Sequence, residues 1–261
     1  MRWPRLGSVV LLRVSKARIQ GVTTLSPAVD LSHGIAVDAD NVFAAGPAGV
    51  RMYAHYGRNE VIITASPSTE VAVQGDKVFT CLFGEKTELL QFPRVAAQPS
   101  VQIVKDTKHC ESIAPDKGFL VFGGDLIYRV AITAAEKKPE EVKLVDTRAR
   151  RLAIDDPWVY SIVSGSAEVS RNKLDGSTKG GGAFATGPAT VEEGDIALDD
   201  EYVYWTTGTP QGGVYRVLKE NGANPERIAE GERRPRGITV DNDAVYWANY
   251  DTGEIRKRAK P

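Results

Sequence analysis

Six dipeptides hold the side chains of greatest chemical potential in this 261-residue chain. They are His33-Gly34, Thr69-Glu70, Glu111-Ser112, Arg150-Arg151, Gly194-Asp195 and Arg236-Gly237. Each opens a short apolar segment that closes on a polar turn. Two chemistries compete for them. Carboxylates gathered around one hard cation would form a calcium site, and the ion could then polarise a substrate carbonyl. Glu70 and Asp195 suit that role, with Glu111 beside them. The other chemistry is mutual neutralisation. Arg150, Arg151 and Arg236 would share the same entrance and compete with a cation for its carboxylates. Residues 192–201 hold Glu192, Glu193, Asp195, Asp199, Asp200 and Glu201 and no base. They lie in sequence between Arg148, Arg150, Arg151 and Arg233, Arg234, Arg236. Neutralisation is the favoured reading, because no asparagine joins the set and the arginines are already present.

The elements that would position these groups repeat. Gly34–Asp38, Glu70–Gln74, Ser112–Asp116, Arg151–Asp155, Asp195–Asp199 and Gly237–Asp241 follow one pattern. Their starts are 36, 42, 39, 44 and 42 residues apart. A period near forty with several short strands per repeat points to a β-propeller. The expected fold is all-β: one domain over residues 1–261, a six-bladed propeller of four-stranded antiparallel blades. The first strand of each blade would line the channel, so small residues sit at its centre: Ala36, Ala72, Ala114, Ala153, Ala197 and Thr239. The second strand carries aromatics that fill the wedge between blades. Residues 18–25 are expected to supply the outer strand of the blade formed by residues 237–260. That pairing would hide an edge that otherwise templates aggregation. A further strand at residues 8–14 has no assigned place.

Composition excludes several classes. The chain carries 33 basic and 34 acidic residues, so it lacks the net positive charge that nucleic-acid binding needs. No apolar run is long enough to span a membrane. Val9–Leu12 is cut by Arg13, so no signal peptide is read there. The compartment stays open, an extracytoplasmic one being compatible with a truncated start. Cys81 and Cys110 are too few for a disulfide framework; they could pair, but the favoured reading is two separate thiols packed as small apolar residues. His33, His109, Cys110 and Glu111 match no zinc spacing, and His55 carries no signal. Gly180-Gly181-Gly182 opens no helix, so it reads as a loop rather than a phosphate cradle. No nucleophile elbow, Walker loop or HExxH motif occurs.

Val203-Tyr204-Trp205-Thr206-Thr207 and Val245-Tyr246-Trp247-Ala248-Asn249 resemble the YWTD blades of low-density-lipoprotein-receptor-type propellers and of bacterial six-bladed relatives of unassigned function. The resemblance implies a rigid disc that binds other molecules on one face. Blade number also resembles the gluconolactonase/regucalcin hydrolases, which would imply calcium at Glu70 and Asp195. The reading adopted is a monomeric, non-catalytic scaffold without a cofactor. It would bind a protein, peptide or glycan at a channel mouth formed by His33, Glu70, Glu111, Arg150, Arg151, Asp195 and Arg236.

Overall fold

The computed structural model describes residues 34–54, 60–83, 87–96, 98–107, 109–133, 135–146, 148–177 and 182–260, and the strands of 12–14 and 22–24. β1 (Leu12–Val14) pairs antiparallel with β2 (Val22–Thr24). Blade one is β3 (Gly34–Val37), β4 (Asn41–Gly46), β5 (Gly49–Ala54) and β6 (Glu60–Thr64). Blade two is β7 (Ser68–Gln74), β8 (Lys77–Leu82), β9 (Thr87–Pro93) and β10 (Val101–Thr107). Blade three is β11 (Ser112–Asp116), β12 (Phe119–Gly123), β13 (Ile127–Ala131) and β14 (Lys143–Val145). Blade four is β15 (Arg151–Asp155), β16 (Trp158–Ile162), β17 (Ser166–Lys173) and β18 (Gly182–Val191). Blade five is β19 (Ile196–Leu198), β20 (Tyr202–Thr206), β21 (Gly212–Leu218) and β22 (Glu226–Glu232). Blade six is β23 (Pro235–Val240), β24 (Ala244–Asn249) and β25 (Glu254–Ala259). The fold is an all-β, six-bladed β-propeller, and no α-helix occurs among the described residues.

Blade six departs from expectation. Among the described residues it has three strands, and all of Glu254–Ala259 is exposed. Val22–Thr24 pairs with Leu12–Val14 instead of adding to it. A hairpin between near neighbours in sequence closes a short loop at lower entropic cost than a pairing across most of the chain. Residues 18–21 and 25 lie outside the described residues, as do His33, His55 and Lys179 to Gly181.

Two compact units divide the chain: Met1–Leu120 with Val130–Val142, and Val121–Arg129 with Lys143–Pro261. In the first, Phe43 and Val50 of blade one meet Val71, Val78 and Leu90 of blade two in one apolar cluster. In the second, Tyr160 and Val169 of blade four meet Trp205 and Tyr215 of blade five. Tyr204 and Val214 then meet Ile238 and Trp247 of blade six. Aromatics of the second strands are thus the wedges: Phe43, Phe79, Tyr160, Tyr204 and Trp205 are all buried. Trp205 stacks on Tyr215 with ring centres 5.6 Å apart. A Cβ on Gly187 would sit 3.1 Å from the Trp205 ring, so the outer strand of blade four passes it as glycine.

The polar turns after the inner strands of blades one, five and six have a definite function. Asp199 Oδ1 accepts the N–H groups of Glu201 and Tyr202, and Oδ2 accepts the Tyr204 hydroxyl at 2.7 Å. Asp241 does the same with Asp243, Ala244 and Tyr246, and Asp38 with Asp40 and Asn41. A cation just past the third strand of the following blade reaches the turn carboxylates Asp38, Asp155 and Asp199. Arg94 lies 2.5 Å from Asp38, Lys219 2.6 Å from Asp155 and Lys260 2.6 Å from Asp199. Arg94 also lies over the Phe43 ring and Lys260 over the Tyr204 ring, adding a cation–π contact to each ion pair.

The cysteines form a disulfide, Cys81–Cys110, with Cα atoms 6.0 Å apart. This corrects the expectation of two separate thiols. Cys81 is the penultimate residue of the second strand of blade two, and Cys110 precedes blade three. The Thr69 hydroxyl lies 3.3 Å from the Cys81 carbonyl and 2.9 Å from that of Cys110, so one side chain draws both together.

Two outcomes are expected. A cross-link over 29 residues restricts the unfolded chain by about 3–4 kcal/mol in the loop-entropy account. Cys81→Ala with Cys110→Ala should therefore unfold several degrees earlier, and wild type in reductant should match it. An unchanged melting temperature would remove the staple from the account. Asp199 titrates below its ordinary 3.8. Burial opposes this, but Lys260 and the Tyr202, Tyr204 and Glu201 donors outweigh it. A depressed carboxyl stabilises the fold above its unfolded value and loses that effect as pH falls through its folded one. The melting-temperature gap between wild type and Asp199→Asn should thus be constant above about pH 5 and shrink below 3.8. A gap that persists in acid would contradict this.

Candidate functional site

The inner strands begin at the residues singled out by sequence, and in the second unit four of these come together. Gly194 closes the approach to blade five: a Cβ there would lie 1.8 Å from the Thr206 carbonyl oxygen. That turn delivers Asp195, whose N–H donates to Thr206 Oγ1 at 2.9 Å. Thr206 Oγ1 in turn donates to the Arg236 carbonyl at 2.7 Å, fixing blade six to blade five. The β-branched hydroxyl on a second strand therefore sets the spacing of two site residues.

Glu193, which sequence reasoning placed only in the acidic run, is the hub. Its carboxylate pairs with Arg236, and Arg150 approaches its other oxygen at 3.9 Å. Arg151 Nε lies 3.9 Å from Asp195. Asp195 Oδ1 accepts the Ile196 N–H at 2.9 Å and Oδ2 the Ile238 N–H at 3.4 Å. The Arg236 guanidinium stacks over Tyr250 at 3.7 Å. Opposite charges therefore meet across blades four, five and six. The signal for Glu193 was its place two residues before Asp195, between two arginine-bearing strand starts.

Asp195 is surrounded by protein on most sides, although 31% of its side chain reaches solvent. Desolvation raises its carboxyl above the ordinary value, against the pull of Arg151 and the Ile196 and Ile238 N–H groups. Desolvation also lowers Arg236, and the nearby Arg150 charge adds to this, while Tyr250 opposes it.

In the first unit Glu70 occupies the equivalent position. Its Oε1 accepts the N–H of Val71 at 3.1 Å, as Asp195 accepts that of Ile196. A Cβ on Gly34 would lie 2.1 Å from the same oxygen, so the glycine of blade one makes room for the carboxylate of blade two. Glu111 is half-buried at the start of blade three. His33 lies outside the described residues. No group of three histidine, cysteine, aspartate or glutamate side chains is placed to hold a metal ion among the described residues.

Sequence reasoning missed two further features. Glu232 is a buried carboxylate, 3% exposed, bonded by Trp247 Nε1, Asn249 Nδ2 and Arg256. It ties the outer strand of blade five to blade six. A cleft of about 480 Å³ lies at the far ends of the inner strands of blades five and six, lined by Tyr202, Tyr204, Arg216, Asp241 and Lys260 among others. Its charges are largely committed: Lys260 to Asp199 and Arg216 to Glu226. Only the turn acids Asp200 and Glu201 gave a sign of it in sequence.

A raised carboxyl carries the opposite sign from Asp199. Its stabilising effect is present below the unfolded value and lost as pH rises through the folded one. Relative to wild type, Asp195→Asn should therefore gain melting temperature as pH rises from below the ordinary carboxyl value of 3.8 to neutrality. A variant that loses several degrees at pH 7 but not at pH 3 would reverse the assignment.

No family model and no curated protein matches the chain. Solved structures do. The β-propeller domain of Cps50 (Swd1) from Myceliophteria thermophila is similar, with a TM-score of 0.67 at 12% identity over 87% of this chain and 83% of that one. A structure of a nidogen/laminin complex gives 0.62 at 12% identity over 85% and 89%. A protein of unknown function from Bacteroides thetaiotaomicron gives 0.59 at 14% identity over 88% and 69%. At such identities the likeness is one of fold: a β-propeller.

Proposed function

We propose that the chain is a non-catalytic propeller scaffold that binds a protein, peptide or glycan on the face where the inner strands begin. One observation carries this reading. The acidic groups of that face in the second unit, Glu193 and Asp195, are engaged by arginines and backbone N–H groups. A general base or a metal ligand needs an oxygen directed at substrate or ion, whereas these oxygens serve structure. The YWTD-like strands Val203–Thr207 and Val245–Asn249 and the similarity to a structure of a nidogen/laminin complex support a role in protein recognition. The Cys81–Cys110 bond suits an oxidising, extracytoplasmic setting. The reading assigns no cofactor.

The competing calcium-hydrolase chemistry at Glu70 and Asp195 gives the test. Binding to the folded state stabilises by mass action, about 2.7 kcal/mol at a hundredfold excess over the dissociation constant. After chelation, adding calcium should leave the melting temperature of wild type, Glu70→Ala and Asp195→Ala each unmoved. A calcium-induced rise of several degrees that either substitution abolishes, together with lactone hydrolysis, would replace the scaffold reading with the enzyme.

A further inference from the structure

We propose that β25, the outermost strand of blade six among the described residues, is a docking edge that takes an extended acidic segment of a partner protein as a fourth strand. Blade five has four strands and blade six three, and every residue of Glu254–Ala259 is exposed. The ladder shows which backbone groups are open. Lys260 donates its N–H to the Asp243 carbonyl at 2.9 Å, and Arg258 and Arg256 stand opposite Val245 and Trp247. In an antiparallel pair alternate residues exchange both bonds with the partner strand, and those between them point away from it. Lys260, Arg258 and Arg256 are thus turned to β24. The N–H and C=O groups of Ile255, Lys257 and Ala259 point to the free edge. Such an edge is a template for another strand.

Blade five shows what the added strand must carry. Tyr204 stands opposite Arg216 there, as Tyr246 stands opposite Lys257 in blade six, and the same alignment sets Val214 level with Ile255. Arg216 is paired across to Glu226 of the fourth strand, its Nε donating to the carboxylate at 2.8 Å. Val214 stands opposite Ala229 and is fully buried, whereas Ile255 is 60% exposed. In blade four the equivalent Arg171, opposite Tyr160, lies 4.3 Å over the ring of Phe184 on the fourth strand. The third-strand cation of both these blades therefore meets a fourth-strand side chain. Lys257 calls for an acid opposite it, and Ile255 for a small apolar residue. Arg256 and Arg258 turn instead to blade five, where they bond Glu232 and the Ile228 carbonyl, so Lys257 is the selecting charge. Charge also argues against two other occupants. Two copies of β25 laid antiparallel would set Arg256, Lys257 and Arg258 against one another, and like charges across strands are destabilising. Residues 1–33 of this chain hold a single acid, Asp30. An acidic strand of another protein fits both requirements.

A capped peptide reproducing Glu226–Glu232 is the probe, added to the full chain and followed by amide NMR. The amides of Ile255, Lys257 and Ala259 should exchange freely in the protein alone and become protected when the peptide is added. Lys257→Glu should weaken binding about tenfold, the scale of one cross-strand charge pair reversed. A peptide with Glu226→Lys should restore it in that variant and weaken it in wild type. Lys257→Pro removes an N–H that β24 does not use, so it should abolish binding while the melting temperature stays near that of wild type. A peptide N-methylated at its alanine should not bind, which separates strand addition from attraction by charge alone. Amides already protected in the protein alone would mean that the edge is covered by this chain or a second copy, and would overturn the proposal. So would no binding of the peptide to wild type, equal binding of the N-methylated peptide, equal binding to a folded Lys257→Pro, or no rescue by the charge exchange. This edge is separate from the face where the inner strands begin, so its failure leaves the scaffold reading above in place.

Discussion

A four-stranded sheet cannot cover both of its faces, so a blade is stable only when its neighbours do it. The rest of this structure depends on that constraint. Phe43, Tyr160, Tyr204 and Trp205 supply the apolar contact, each on a second strand and each buried against a neighbouring sheet. Apolar burial is non-directional and does not fix how far one sheet slides past another. The polar contacts do. Thr206 bonds across to the Arg236 carbonyl near the start of the inner strands, and Lys260 reaches Asp199 at their end. Thr69 and the carbonyl of Cys110 repeat the first of these contacts in the first unit.

The charged entrance of blades four to six follows from the same constraint. A strand start that must place its backbone beside the next blade brings its side chain there too. Arg151 and Asp195 stand at equivalent positions of consecutive blades, as do Gly34 and Glu70. Two bulky groups at such neighbouring positions must be complementary, or one must vanish. Blades four and five use opposite charge, with Arg151 3.9 Å from Asp195. Blades one and two use absence, with Gly34 leaving space for the Glu70 carboxylate. Each of these carboxylates thus has a local setting in the fold, Arg151 beside Asp195 and the space left by Gly34 beside Glu70.

The sequence makes the repeat legible because one strand-and-turn pattern recurs six times. It shows the arginine and carboxylate residues of the entrance for the same reason. Three features lie outside that signal. The Cys81–Cys110 bond depends on two chain segments meeting through Thr69, which no spacing of two cysteines reveals. Glu193 is one acid in a run of acids, and only the fold selects it over Glu192 as the group between Arg150 and Arg236. The pairing of Val22–Thr24 with Leu12–Val14 involves strands too short for periodicity to assign a partner. The turn aspartates were visible as the last letter of five of the six repeats. Their task was not, because it lies in backbone N–H groups that carry no sequence signature.

The cation past each third strand shows how far the repeat logic reaches. Arg94, Ile132, Leu174, Lys219 and Lys260 are equivalent: each donates its N–H to the carbonyl two residues beyond the turn position of its own blade, Asp76, Gly118, Pro157, Glu201 and Asp243 respectively. Where the turn residue of the preceding blade is Asp38, Asp155 or Asp199, the position holds Arg94, Lys219 or Lys260 and an ion pair forms. At Ile132 the cation is gone, and the turn position of blade two is Gln74 rather than an aspartate. Acid and base are both absent at that position, whereas Leu174 follows a blade whose turn residue is Asp116, so the two do not always vary together. At blades two and three, where Ile132 and Gln74 form no ion pair, the Cys81–Cys110 bond is what joins the adjacent blades.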